Sequence, residues 1–325
     1  VKNKKILIIG GSGSLGHRLI ERYIDDNEIY CMSRDETKHW NMSFYFNKLP
    51  QFNNLKFVIG DIRNSSKIKT VLRRIKPDVI VLAAAMKHID KCELEPDECI
   101  GVNLFGTQVV LDEIENNLRY LKNLESVCFT STDKACNPVS TYGMCKAVSE
   151  NLMVEKSIHI PQVKFVSVRY GNILNSNGSI IPTLHTLGKD KNIGQFKLTN
   201  ENMTRFIMTL DNSVDLIEHA ILRADSGDVV IPKLVSCKIK DVLNIFSDLY
   251  EKPIAIGSIR PGEKITESLI NTTQSIRTTK IDDYMHIKPV YKNYTNDGEM
   301  KEYTSELNCI SSNQLHDLLS ELQLI

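Results

Sequence analysis

Two groups of residues in this 325-residue chain have the types and spacing to do chemistry. Tyr142 and Lys146 stand four positions apart, so a helix sets them on one face, one turn apart. A free tyrosine titrates at about 10 and is a poor base at neutral pH. A lysine ammonium beside it favours the phenolate. Such a pair can take a proton from a hydroxyl while hydride leaves the same carbon. Upstream stands Thr132-Asp133-Lys134, a hydroxyl, a carboxylate and an amine in a row. An adjacent acid and base can move protons on and off neighbouring atoms of a substrate. A lysine at its ordinary pKa of about 10.4 is protonated and useless as a base. Burial and the neighbouring Lys146 cation are expected to lower the pKa of Lys134.

Both groups need elements that hold them still. Apolar runs over residues 5–9, 28–32, 55–60, 78–84, 126–130 and 164–170 read as strands. Helical patterns cover 13–24, 96–117 and 141–156. Near-continuous apolar strands alternating with helices predict an α/β, Rossmann-type doubly wound parallel sheet, covered on both faces. The strand at 126–130 delivers Thr132-Asp133-Lys134, and the helix at 141–156 carries Tyr142 and Lys146. After Gly171 the pattern changes. Residues 172–202 read as irregular, 211–224 and 239–250 as helices, 228–232 as a strand, and 272–302 as polar and irregular. The predicted division is a dinucleotide-binding domain over 1–171, with 203–232 returning to it. A smaller C-terminal substrate-binding lobe takes 172–202 and 233–325.

The first strand runs into Gly10-Gly11-Ser12-Gly13-Ser14-Leu15-Gly16 and then a helix. Glycines at 10, 13 and 16 allow a tight turn and let backbone N–H groups reach a pyrophosphate at the helix N-terminus. The second strand ends in Ser33-Arg34 rather than in an acid. Arg34, with Ser33 and Lys38, suits the 2′-phosphate of NADP better than the ribose hydroxyls of NAD. Asp61, with Ile62 beside it, stands where it could reach the adenine amine. Ala83, Ala84 and Ala85 leave room for a cofactor lying close to the fourth strand.

Composition narrows the class. Lys+Arg and Asp+Glu both number 40, so the formal charge is zero, against the basic excess of a nucleic-acid binder. Hydrophobic residues make up 42%, and no apolar run approaches the ~20 residues of a membrane span. The first residues lack the apolar core of a signal peptide, so a cytoplasmic location is expected. The eight cysteines form no Cys-x-x-Cys or zinc spacing and are expected to be free thiols.

Gly10-x-x-Gly13-x-x-Gly16 together with Tyr142-x-x-x-Lys146 resembles the extended short-chain dehydrogenases/reductases. Thr132-Asp133-Lys134-Ala135 narrows the resemblance to the UDP-N-acetylglucosamine 4,6-dehydratases that invert C5. Further matches are Lys87-His88, Arg169-Tyr170-Gly171-Asn172, Gly178-Ser179-Ile180-Ile181-Pro182, Met203-Thr204-Arg205-Phe206 and Arg260-Pro261-Gly262-Glu263-Lys264. They extend over most of the chain. Asp282-Asp283-Tyr284 and Glu302-Tyr303-Thr304-Ser305 are most similar to the branch serving capsule and O-antigen precursors.

The resemblance implies oxidation of a hexose at C4, which makes the C5 proton acidic. A base then removes that proton and an acid protonates the departing C6 hydroxyl. Hydride returns to C6 and C5 is reprotonated. Tyr142 and Lys146 are implied as the oxidising pair, also touching the cofactor as Tyr170 does. Asp133 and Lys134 are implied as the acid/base pair, and Thr132 as the holder of the C4 hydroxyl. Related dehydratases carry Asp-Glu, so Lys134 points to C5 inversion. Lys87, His88, Asn172, Arg205, Arg260 and Glu263 are implied contacts of the substrate, UDP-GlcNAc. The cofactor is expected to be NADP, tightly bound, and the chain to form a homodimer or hexamer. Two alternatives stay open: a nucleotide-sugar 4-epimerase or reductase, and a non-catalytic NADP-sensing protein.

Overall fold

Alternation of buried apolar strands with amphipathic helices builds the first half of the chain. The computed structural model describes residues 1–292 and 301–325. In chain order the first elements are β1 (Lys5–Ile9), α1 (Ser14–Tyr23), β2 (Glu28–Ser33), α2 (Glu36–Phe46), β3 (Leu55–Ile59), α3 (Ser65–Ile75) and β4 (Val79–Leu82). Then come α4 (Ile89–Leu94), α5 (Pro96–Ile100), α6 (Gly106–Asn116), β5 (Ser126–Thr130), α7 (Thr141–His159) and β6 (Lys164–Val168). The second half has β7 (Asn172–Ile173), α8 (Ile180–Lys189), β8 (Phe196–Leu198), β9 (Thr204–Met208), α9 (Leu210–Arg223) and β10 (Val229–Pro232). It continues with β11 (Val235–Lys238), α10 (Ile239–Tyr250), β12 (Ile254–Ile256), β13 (Ser268–Ile270), α11 (Thr272–Ser275), β14 (Thr278–Ile281), β15 (Tyr284–Ile287), β16 (Tyr303–Thr304) and α12 (Ser312–Glu321).

The main sheet runs β14-β15-β10-β6-β5-β4-β1-β2-β3. All pairings from β10 to β3 are parallel, and β15 joins β10 antiparallel. The order reverses between β1 and β4, which opens a crevice at their C-terminal ends. One apolar layer under α1 and α9 holds Ile6, Ile8, Leu19 and Ile217. The opposite layer under α3, α6 and α7 holds Leu7, Ile9, Leu72 and Phe129. A third cluster, with Leu184, Phe196, Phe246 and Leu319, is the core of a smaller lobe built on α8, α10 and α12.

Three stretches differ from the sequence reading. The helix expected over 96–117 is interrupted by a π turn at Gly101–Phe105. There Asn103, fully buried, takes the Met86 N–H (2.8 Å) and donates to the Met86 carbonyl (2.9 Å), pinning the segment that follows β4. Residues 172–202, expected to be irregular, contain β7, α8 and β8. Glycine and Pro182 hid α8, yet proline is tolerated in a first helical turn, and Ile181 and Leu184 give it a buried face.

The third stretch concerns 272–302, of which 293–300 lie outside the described residues. Its β14–β15 hairpin turns at Asp282 (φ 53°) and extends the main sheet, so residues 278–287 belong to the dinucleotide-binding sheet and not to the smaller lobe. Its strands read as polar because His286 is buried against Asp228 (3.2 Å) rather than against an apolar neighbour. Conversely β9, expected to return to the large domain, pairs with β11 and β7 in a separate three-stranded sheet. All five of its residues are buried there.

A buried ion pair ties the elements that carry the reactive residues. Arg169, after β6, donates to both carboxylate oxygens of Glu150 on α7, at 2.9 and 2.7 Å. It also donates to the Leu269 carbonyl in β13 at 2.7 Å. Ser131, at the end of β5, donates to the same Glu150 at 2.5 Å. Removing one partner leaves a buried charge unpaired. Arg169→Met is therefore expected to lower the unfolding free energy in urea by about 3–5 kcal/mol. The Arg169→Met/Glu150→Leu double variant should regain most of that loss.

Candidate active site

The crevice between β1 and β4 deepens into a cavity of about 890 Å³ that runs into the smaller lobe. Its floor is the loop from β1 to α1. Gly10 sits at φ +92°, and a Cβ there would lie 2.4 Å from the Ala84 nitrogen. Only glycine lets the loop lie on the end of β4. The next residues, Ser12, Gly13, Ser14, Leu15 and Gly16, all face the cavity. No side chain caps the N-terminus of α1, and its first turn holds no acid. Its free N–H groups and dipole are thus open to an anionic group, as a dinucleotide pyrophosphate requires. Ala83, Ala84 and Ala85 line the opposite wall, and Tyr170 closes the back. The Tyr170 hydroxyl is buried with no protein partner. The residues present fit a nicotinamide dinucleotide.

At the end of β2, Ser33, Arg34 and Lys38 face the cavity. Ser33 Oγ is 2.7 Å from His39 Nε2. Asp35 lines the cavity as well, and it caps α2 by accepting the Lys38 N–H at 3.0 Å. Ile62 lines the cavity, as does Gly60, and Asp61 stands between them. Hydrogen bonds from Arg63 hold the Asp61 carboxyl down to about 2, and Arg34 lies 3.5 Å from it.

Beyond β5 the chain makes a single 3-10 turn, Asp133–Ala135, with Thr132 at its start. Thr132 Oγ1 donates to Asp133 Oδ1 at 2.9 Å. Lys134 Nζ lies 3.0 Å from that same oxygen and 3.2 Å from Glu267 Oε1. The turn packs tightly on α7, where a Cβ on Gly143 would come within 2.3 Å of the Lys134 carbonyl. Ser140 caps α7, and the helix sends Tyr142 and Lys146 into the same cavity.

Burial pushes the Tyr142 phenol up to about 12. The opposing pull comes from Lys134 and the Thr132 hydroxyl, not from Lys146 as the spacing suggested. Lys146 donates to the Thr130 carbonyl at 2.7 Å, lies over the Phe129 ring, and is lowered by burial to about 8.

The expected depression of Lys134 is also corrected. Burial does act downward, but the carboxylates of Asp133 and Glu267 outweigh it and raise its pKa. Lys134 is therefore an ammonium in the resting site. Asp133 moves the other way from an ordinary carboxyl: burial raises it against the pull of Lys134, and its Oδ2 has no hydrogen-bond partner.

Lys87, His88, Asn172 and Arg205 all line the cavity. Lys87 Nζ donates to the Asn177 carbonyl, while the Asn177 N–H donates to Ser14 Oγ at 3.0 Å. Arg205 donates to the Thr204 and Ile265 carbonyls. Arg260 and Glu263, expected among the substrate contacts, do not line the cavity. They pair with each other at 2.5 Å on a turn whose Gly262 has φ +77°, and Arg260 is 61% exposed. Cys136 and Cys145 are buried, and burial raises both thiols.

The residue that sequence reasoning missed is Glu267. It stands three positions after Lys264, which it meets at 2.9 Å, and it is 1% exposed. That spacing beside the Arg-Pro-Gly-Glu-Lys stretch was the available signal. Among the described residues no cluster of His, Cys, Asp or Glu could hold a metal ion, and no helix is long and apolar enough to cross a membrane.

Residues 6–289 match the family described as polysaccharide biosynthesis protein. The chain belongs to this family. Relatives of this chain include the UDP-N-acetylglucosamine 4,6-dehydratase (inverting) of Campylobacter jejuni. That protein is 35% identical over 295 residues, which are 89% of this chain and 84% of that one. The UDP-glucose 4-epimerase of Rickettsia prowazekii is 33% identical over 325 residues, 93% of this chain and 91% of that one. Pen from Bacillus thuringiensis superposes with a TM-score of 0.89 at 29% identity, covering 100% of this chain and 99% of that one. DesIV, a dTDP-glucose 4,6-dehydratase from Streptomyces venezuelae with NAD and TYD bound, shares the fold at 18% identity. Its TM-score is 0.68 over 80% of this chain and 86% of that one.

The lowered Lys146 ammonium predicts how the stability of this family member depends on pH. Between about pH 8 and 10.4 the unfolded chain holds a proton that the folded Lys146 has lost, so unfolding becomes less favourable as pH rises. The difference in unfolding free energy between wild type and Lys146→Met should rise across that window by up to about 1.4 kcal/mol per pH unit. A flat difference in urea titrations at several pH values would show that Lys146 is not desolvated.

Proposed function

We propose that the chain is a UDP-GlcNAc 4,6-dehydratase that inverts C5 and uses NADP. One observation carries this reading: Asp133 and Lys134 form a 3.0 Å acid/base pair in the same cavity as Tyr142 and Lys146. Oxidation and return of one hydride need only the tyrosine. Loss of water needs a second pair that handles protons at the neighbouring carbons. The Campylobacter relative carries that activity in its name.

A bound nicotinamide dinucleotide would supply hydride acceptance from C4 and hydride return to C6. Tyr142 takes the C4 hydroxyl proton as its phenolate, which Lys134 and Thr132 stabilise. The resulting C4 ketone acidifies the C5 proton. Asp133 removes that proton and passes it to the departing C6 hydroxyl, so that water leaves and C5 and C6 become doubly bonded. Its raised pKa suits a group that must hold a proton between the two steps. Lys134, an ammonium, then protonates C5 from the other face as hydride reaches C6. The C5 hydrogen of the product therefore comes from solvent through Lys134. Lys87 and Arg205 are the cations on the wall that suit the two phosphates. Exposed Leu94, Met144 and Val148 around α4 and α7 fit self-association through that face.

The Rickettsia relative's name supports a second reading, a 4-epimerase, which would use Tyr142 and Lys146 alone. NMR of the product from UDP-GlcNAc in D2O separates the two. The expected product is a 6-deoxy-4-keto sugar with one deuteron at C5, and a retained 6-hydroxyl favours the epimerase. Lys134→Ala should abolish deuterium entry at C5 while the cofactor stays bound; undiminished entry removes Lys134 from the mechanism. For the cofactor, Arg34→Ala is expected to weaken NADP by about tenfold or more and NAD little. Equal losses by titration calorimetry would remove Arg34 as the 2′-phosphate contact.

A further inference from the structure

Glu267 is a carboxylate in an unusual place. It is 1% exposed and forms no part of the cavity wall, so it does not touch a bound sugar. Yet three cations converge on it: Lys134 at 3.2 Å, Lys264 at 2.9 Å and Arg205 at 4.0 Å. Its backbone is clamped from two sides. Its N–H donates to Ser305 Oγ at 2.9 Å, its carbonyl accepts the Ser305 N–H at 2.8 Å, and Ser305 Oγ meets Thr204 Oγ1 at 2.7 Å. Lys264 in turn donates to the Cys136 carbonyl at 3.0 Å, directly after the turn that carries Lys134. The segment before β13 thus presents one fixed negative charge to the back of the acid/base pair.

Lys134 therefore has two counter-charges, and in the reaction proposed above one of them is neutralised between loss of the C5 proton and departure of the C6 hydroxyl. Once Asp133 has taken the C5 proton it is neutral. Lys134 would then be a part-buried ammonium facing Arg205, with desolvation favouring loss of its proton. That proton must still be on Lys134 when C5 is protonated.

We propose that Glu267 is the positioning residue of the pair: the second counter-charge that holds Lys134 in place as an ammonium while Asp133 carries the proton taken from C5. This rests on the dehydratase reading. Lys134, Lys264 and Arg205 keep Glu267 itself ionised, against the upward push of burial. The charged or titratable groups facing Lys134 are Asp133 on its own turn, Glu267 beside β13, Arg205 on β9 and Tyr142 on α7. Only Glu267 among them is negative throughout the cycle.

The test is Glu267→Gln, which keeps the shape and removes the charge, in full-length protein with UDP-GlcNAc and NADP. Oxidation at C4, followed in a single turnover by the absorbance of reduced nicotinamide, should stay near the wild-type rate. Formation of the C5-deuterated 6-deoxy product in D2O should fall about tenfold or more. The alkaline limb of that step should move down by about one pH unit or more, because removing a nearby anion lowers the pKa of a lysine. Glu267→Asp, which keeps the charge, should retain the wild-type limb even if the rate falls, and it decides the matter if Glu267→Gln does not fold. An unmoved limb in Glu267→Gln, equal losses in both steps, or a Glu267→Asp limb displaced from wild type overturns the proposal. A wild type that forms no 6-deoxy product overturns the dehydratase reading and the inference with it. Normal wild-type turnover with an unaltered Glu267→Gln overturns the inference alone.

Discussion

Lys134 lies between two buried carboxylates, Asp133 and Glu267, and much of the molecule is arranged to make that possible. A charge taken out of water carries a desolvation penalty of several kcal/mol unless partners repay it. Here one partner is the sequence neighbour of Lys134 and the other is remote in the chain. Asp133 is supplied by the turn after β5, and Glu267 by the segment before β13, held through Ser305 and Thr204. The turn can sit close enough only because Gly143 lets it press on α7. Lys264 and Arg205 then balance Glu267, which leaves a compact network of alternating charge behind one wall of the cavity.

A second buried network underlies the first. The Arg169–Glu150 pair joins β6, α7 and β13, and Ser131 adds the end of β5. Tyr142, Lys146 and Glu150 follow one another at helical spacing on α7, so the anchored carboxylate fixes the face that carries the hydride-handling pair. The same strand end and the same helix therefore orient both pairs of reactive groups. Their proximity follows from packing, and it lets one pocket handle hydride at one carbon and protons at the next.

Legibility differed by region, for physical reasons. The strands of the first half are short, mostly apolar and largely buried, so their sequence alone marks them. The β14–β15 hairpin was hidden because its buried positions include His286, whose partners are Asp228 and His219 and lie in other segments. Helix α8 was hidden because Pro182 and nearby glycine resemble a loop until Ile181 and Leu184 find a core to face. Asp61 and the Arg260–Glu263 pair sit at positions suited to ligand contact, and the fold also gives each an ion pair with a close neighbour in the chain.

The sequence by itself determined the kinds of chemistry available. Gly10, Gly13 and Gly16 before α1, Tyr142 with Lys146, and Thr132-Asp133-Lys134 are local patterns whose meaning depends on spacing, and spacing is written in the chain. The direction in which Lys134 is shifted was decided only by the tertiary structure. A pKa is set by every charge within a few ångströms and by the loss of water around it. Asp133 and Glu267 together turn a lowered lysine into a raised one, and Glu267, remote in sequence, reaches Lys134 only in the folded chain.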